Sequence, residues 1–405
     1  MSEGSARPRF TLRELFVVVA GICVLLEFAT DVEPFVFTAR LGAAEPGRDA
    51  GQTPAPGGGR VVVDRKRIMR GRFDEVAAKL ESDNALERQV AAHWLGGTEW
   101  PDAQAERAVQ LLCQLLEFPD RYPRETIARA IQNFACLNPS RAARAVDALV
   151  KALAKAREEP EELRQELELA DALGAIGPAA APAVPSLQSL LPSTHSVIQI
   201  HAATALLRIQ PSCREAFALL LNALSRGPGD CWRAADGLRQ VGPAAKSATP
   251  VLRRLLRADD VRVRVTCAGA LWAVEGDADS VLPTLIQALQ EPDLPLSTEF
   301  IYPSFSGDSH RAYVARRLSD MGTKASAAVP ALVATIKETT SDGKPYASWK
   351  AVVGISAMRA LPKLGPAARA ALPTIRELDQ AQSSWFEVYH EIVSETIAAL
   401  ENSSD

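Results

Sequence analysis

A nine-residue phase recurs along most of this chain and dictates what it can become. Val263-Arg264-Val265-Thr266-Cys267-Ala268-Gly269-Ala270-Leu271 gives the pattern V-R-x-x-small-A-x-A-L. The phase returns in segments closing at Leu95, Ile131, Leu173, Leu206, Leu238, Leu318 and Leu361, making eight copies, with a ninth, terminal one closing at Leu400. The intervals run from 32 to 47 residues, the length of one helix pair. Four copies place glycine four residues after the closing leucine, at Gly177, Gly242, Gly322 and Gly365, where the pattern predicts a left-handed helix cap. Eight residues later come Pro185, Pro250, Pro330 and Pro373, and Pro283 keeps the phase in a fifth copy. Proline in a helix's first turn forfeits no bond, so each marks the start of a second helix. Val329, Leu332, Val333 and Ile336 then fall on one helical face.

A helix pair of this size cannot bury its apolar face alone, whereas stacked pairs form a continuous core. Alanine fills 68 positions and aromatics only 6%, a composition that lets helices form and approach closely. The expected fold is all-α, a right-handed solenoid of about eight helix pairs over residues 73–405. These features, recurring in phase, resemble the HEAT-repeat family, armadillo-like and in the variety seen in bilin-lyase-type repeats. The resemblance implies a curved superhelix with second helices on its concave side. It also implies structural bonds between repeats from the arginine at the second motif position: Arg88, Arg124, Arg264 and Arg311.

The N-terminal end reads differently. Residues 15–26 are an unbroken apolar run, preceded by Arg7, Arg9 and Arg13 and followed by Glu27, Asp31 and Glu33. Residues 11–30 reach the roughly 20 needed to span a bilayer if Arg13 snorkels. The charge order puts the N-terminus in the cytoplasm and the solenoid on the far side, in the periplasm or cell envelope. Phe10-Thr11-Leu12-Arg13-Glu14-Leu15 and the following valines resemble the membrane helix of type IV pilin-like proteins, with Glu14 at the family's glutamate position. Arg9 stands where that family has glycine, so the expectation is an uncleaved single-pass anchor. A cleaved leader and a soluble cytoplasmic chain are the alternatives. Residues 1–30 thus form a stub and membrane helix, and residues 31–72 a Gly/Pro-rich linker ending in a basic segment.

Local catalytic chemistry is absent from the sequence. The five histidines form no helical metal pair, and no phosphate loop, nucleophile elbow or kinase signature occurs. No catalytic residue, cofactor or metal site is expected, and no small-molecule substrate. With 45 Lys+Arg against 49 Asp+Glu, no nucleic acid is expected either. The six cysteines, scattered through helical patterns, read as small buried hydrophobes.

Two breaks in the repeat draw attention. Residues 292–309 insert a loop carrying Phe300, Tyr302 and Phe305, and residues 339–348 insert another carrying Tyr346. Both follow a second helix, hence lie on one edge, where aromatics recognise partners at low entropy cost. A basic cluster of Arg253, Arg254, Arg257, Arg262 and Arg264 is the other candidate binding surface. The expected function is a non-enzymatic, membrane-tethered scaffold binding an unidentified protein through its concave face and edge loops. A HEAT-like lyase or glycosylase-type enzyme and a soluble cytoplasmic scaffold are the competing expectations.

Overall fold

The computed structural model describes residues 73–119, 122–158, 163–292, 309–340, 349–380 and 387–402. The membrane segment at 11–30 and the linker at 31–72 lie outside these residues. The described chain is an all-α solenoid. A leading helix α1 (Phe73–Lys79) is followed by alternating first and second helices. The first helices are α2 (Ala85–Gly96), α4 (Arg124–Leu137), α6 (Leu163–Ile176), α8 (Ser196–Ile209), α10 (Pro228–Val241), α12 (Val261–Glu275), α14 (His310–Met321), α16 (Trp349–Ala360) and α18 (Glu387–Glu401). The second helices are α3 (Asp102–Leu115), α5 (Val146–Ala156), α7 (Val184–Gln188), α9 (Arg214–Ala223), α11 (Thr249–Leu255), α13 (Leu282–Gln290), α15 (Val329–Thr340) and α17 (Leu372–Gln380). Each first helix packs on the first helices beside it, and each second helix packs on the first helix that follows it.

Eight of the nine closing positions fall inside first helices, and Leu361 sits one residue past α16. The core is what the phase demands: Leu95, Ile131, Leu173, Leu206, Leu238, Leu318, Leu361 and Leu400 are each fully enclosed. The alanines sit at two kinds of contact. Ala170, Ala172, Ala203, Ala205, Ala234 and Ala235 line the seams between first helices. Ala180, Ala183, Ala245, Ala248, Ala325 and Ala328 occupy the 3-10 segments that turn into second helices. Glycine tightens the seams further: a β-carbon on Gly96 would lie 2.0 Å from the Ala130 carbonyl oxygen.

The glycine turns refine the sequence reading. Gly177, Gly242, Gly322 and Gly365 all have positive φ. Yet Gly242 (φ 67, ψ −139), Gly322 (φ 61, ψ −139) and Gly365 (φ 79, ψ −164) are not in the left-handed helical well. They occupy a region that only glycine enters freely, which turns the chain from the first helix directly into a 3-10 turn. Gly276 (φ 69, ψ 15) takes the true left-handed cap. The five phased prolines sit in the first turns of α7, α11, α13, α15 and α17, as expected.

The stretch Leu163–Gln188 is long and apolar enough to cross a membrane by length and composition. It comprises α6, the 3-10 turn after Gly177, and α7, and it is packed on both sides by neighbouring helices. Buried Glu168 and half-buried Asp171 on α6 suit a solenoid helix rather than a lipid-facing one.

Candidate functional site

The loop aromatics Phe300, Tyr302, Phe305 and Tyr346 lie outside the described residues. The basic cluster divides in two. Arg253 pairs with Glu275 at 2.8 Å, and Arg262 bonds Asp260, the cap residue of its own helix, also at 2.8 Å. Arg264 donates to both Glu291 carboxylate oxygens, at 2.6 and 2.5 Å. Arg254 and Arg257 are exposed and make no ion pair among the described residues.

The four motif arginines do two jobs. Arg88 donates to the Ser82 and Asp83 carbonyls, at 2.8 and 3.0 Å, in the turn before its own helix. Arg264 repeats this on the Ala258 and Asp259 carbonyls at 2.8 and 2.7 Å. Both stand four residues after a side chain that caps the helix, Asn84 or Asp260, so cap and arginine together fix the entry turn. Arg264 also reaches Glu291, 27 residues on and just past its own second helix, while Arg311 grips Glu338, 27 residues on and near the end of its own, at 3.0 and 2.7 Å. Arg124 bonds Gln165 of the next first helix at 2.9 Å.

A second polar row escaped the sequence reading. At four of the eight junctions, the residue two before the closing position meets the residue five before it on the next first helix. Arg129 thus forms an ion pair with Glu168. Asp171 lies 2.8 Å from Nδ1 of His201. A β-carbon on Gly269 would stand 2.9 Å from the Tyr313 hydroxyl, and Arg359 feels the charge of Glu395. Two residues after the closing leucine of its repeat, Arg208 donates to Gln240 at 3.0 Å across the α8–α10 seam. Laying the repeats on their closing residues brings three complementary pairs into register: Arg129 with Glu168, Asp171 with His201, and Arg359 with Glu395.

Burial sets the electrostatics of the row. It pushes the Glu168 carboxyl above its ordinary value, partly offset by Arg129. Burial alone would lower His201, but Asp171, with help from Glu168, outweighs it and holds the imidazole above its usual range. Burial would raise Asp236; Arg239 at 2.8 Å and Gln240 at 3.0 Å outweigh it and keep that carboxyl low. Burial lowers the Arg359 guanidinium, and Glu395 only partly offsets it.

Among the described residues, no group of three His, Cys, Asp or Glu is placed to hold a metal ion. The cysteines depart in part from the expected burial. Cys231 and Cys267 are enclosed, and burial raises the Cys113 thiol to about 11, but Cys136, in the last turn of α4, is exposed.

No family model matches the chain, and no curated protein matches it. Solved structures do match. One is human deoxyhypusine hydroxylase in complex with glycerol, 19% identical, covering 83% of this chain and 98% of that one with a TM-score of 0.33. Another is an engineered protein, 18% identical, covering 82% of this chain and 97% of that one with a TM-score of 0.19. One of these matches is an enzyme, which corrects the expectation that this chain is not one. That expectation rested on the absence of local motifs, and a long helical array can assemble a site from several repeats without any. No chemistry passes from these likenesses to this chain.

Proposed function

We propose that the chain is a HEAT-type scaffold, held at a membrane by residues 11–30, that binds a protein partner through its second-helix side and edge loops. One observation carries the reading. Of five clustered arginines, three are engaged by Glu275, Asp260 and Glu291, while Arg254 and Arg257 stay exposed. Arginine is enriched where partners dock, because its planar fork meets carboxylates in pairs. The aromatic residues Phe300, Tyr302, Phe305 and Tyr346 of the two insertions would supply apolar anchors for the same partner.

The test is quantitative recovery of co-purifying proteins from native cells. It compares the full chain, the Arg254→Glu/Arg257→Glu variant and a chain lacking residues 293–308. One protein should fall by about tenfold or more with each change while thermal unfolding of the array stays put. Equal recovery from all three chains removes these surfaces from the interface. Fractionation of the untagged chain, with and without residues 1–30, tests the tether; recovery of both wholly in the soluble fraction refutes it.

A further inference from the structure

The second helices carry a charge pattern of their own. In the second to seventh repeats their enclosed core leucines, Leu149, Leu187, Leu220, Leu252, Leu285 and Leu332, set a common register. Second helices touch where α5 meets α7 and α13 meets α15, so equal registers form rows along one side of the array. Two and five residues past the core leucine, every position in these repeats is exposed and none is acidic. Lys151, Arg254, Arg257 and Lys337 are the cations of the two rows, and they make no ion pair among the described residues. Uncharged Ser189, Asn222, Ser225, Gln287 and Gln290 stand between them. The same registers hold Glu117 in the first repeat and Glu377 in the eighth, so acids close the rows at both ends. One residue further along, Glu291 and Glu338 could neutralise the rows, but Arg264 and Arg311 hold them. An ordinary solvated face mixes both signs. This one does not.

We propose that these rows bind an extended acidic segment of the partner protein, laid across the second to seventh repeats; this rests on the reading that the second-helix side docks a protein. Helix pairs stack about 10 Å apart and an extended chain advances about 3.3 Å per residue, so each repeat spans about three residues of ligand. Lys151 lies three repeats before Arg254 and Arg257, and Lys337 two repeats after them. The matching ligand therefore carries one carboxylate, a pair about nine residues on, and another about six residues beyond. The paired acids suit two guanidinium forks. Between the charges, the amides of Asn222, Gln287 and Gln290 can both donate to and accept from an extended backbone. A single-stranded nucleic acid fits less well. It presents a phosphate at every nucleotide and gains from aromatic stacking, whereas these rows hold sparse cations and no aromatic residue.

The experiment is fluorescence anisotropy of the full chain, solubilised in detergent, with labelled peptides of about 16 residues on a Gly/Ser/Gln background. One peptide carries glutamates at the spacing above and is made in both chain directions; another has the same composition with its glutamates in one block. In one direction the spaced peptide should bind about tenfold tighter than the blocked one, and more weakly as salt rises. Lys151→Glu/Lys337→Glu should lose about tenfold or more of that affinity. Lys79→Glu/Lys246→Glu, the same charge change at exposed positions off the rows, should stay within about twofold. Thermal unfolding of both variants should match the parent chain. Equal affinity for the spaced and blocked peptides, or equal losses in the two variants, overturns the proposal. So does tighter binding of an oligothymidylate of the same length. Self-association that Lys151→Glu/Lys337→Glu abolishes overturns it too, and makes the face a contact between copies. Loss of a co-purifying protein through Arg254→Glu/Arg257→Glu, with no peptide binding, overturns the acidic ligand and leaves the docking reading standing.

Discussion

Nδ1 of His201 lies 2.8 Å from the Asp171 carboxylate, joining α8 to α6 across a seam where both side chains are largely buried. The pair makes the stability of the array pH-dependent with a definite sign. Asp171 holds the folded-state imidazole above its ordinary value despite burial. Folding therefore takes up a proton above the unfolded imidazole's titration near about 6.5. The stabilisation is complete below that pH and is lost as pH rises through the folded-state value. Urea midpoints measured from pH 5.5 upward should fall across the imidazole range, and His201→Gln should flatten that slope. A slope unchanged by the substitution rules the pair out as its source.

The Arg129–Glu168 pair behaves differently because the carboxylate is the deeply enclosed member, with 4% of its side chain accessible. Removing the arginine strands a buried charge, whereas removing both costs far less. Arg129→Met alone should destabilise by about 2–3 kcal/mol, and the Arg129→Met/Glu168→Gln double variant by distinctly less. The raised Glu168 carboxyl means that Arg129→Met should lose less at low pH, where protonation cancels the stranded charge. A double variant as unstable as the sum of its singles refutes the coupling.

These two rungs show where sequence legibility stopped. The closing leucines, the seam alanines and the phased prolines could be placed because each obeys a local rule of helix packing or capping. The rungs obey a rule between helices. Arg129 and Glu168 are 39 residues apart, Asp171 and His201 only 30, so no fixed interval links them. Only superposing repeats on their closing residues brings them into line. The arginine cluster was legible as charge but not as engagement. Which arginines were engaged depended on acids the charge count did not weigh, Asp260 within the cluster and Glu275 and Glu291 outside it.

The glycine turns separate two backbone conformations that share the sign of φ. Asparagine tolerates the left-handed well of Gly276, so Gly276→Asn should cost at most about 1 kcal/mol. At Gly242 the same residue meets ψ −139, where a side chain is strained, and Gly242→Asn should cost about 2–3 kcal/mol. Thermal unfolding of the two variants decides. Equal losses mean the distinction drawn from ψ has no energetic weight.

Arg311 is the most enclosed of the motif arginines, 2% exposed, and holds Glu338 with two nitrogens. Glu338 is itself open to solvent, so the enclosed guanidinium is the costly member of the pair. Glu338→Gln should cost about 1–2 kcal/mol, because the amide keeps one acceptor for the buried guanidinium but removes its counter-charge. Arg311→Leu should cost about 1–3 kcal/mol, through the fork's lost hydrogen bonds and the imperfect fit left behind. Arg311→Lys should not recover the difference, since a point charge cannot span both carboxylate oxygens. Full rescue by lysine contradicts this two-nitrogen reading.

Gly96 tests how far the array depends on close approach of its first helices. Its missing β-carbon would sit 2.0 Å from the Ala130 carbonyl oxygen and 2.7 Å from the Ala130 α-carbon. Both are backbone atoms, so no side-chain rotation relieves the clash. Alanine favours a helix over glycine by about 1 kcal/mol, and on a free helix Gly96→Ala would stabilise. Here α2 must move off α4, opening the seam packed by Ala91, Ala92, Leu95 and Ile131. The net effect should be a loss of about 2–3 kcal/mol, confined to the first repeats of a nearest-neighbour array. Native-state hydrogen exchange should therefore show lost protection in α2 and α4, with α12 to α16 unchanged. A stabilised variant, or loss of protection spread evenly along the chain, contradicts the packing argument.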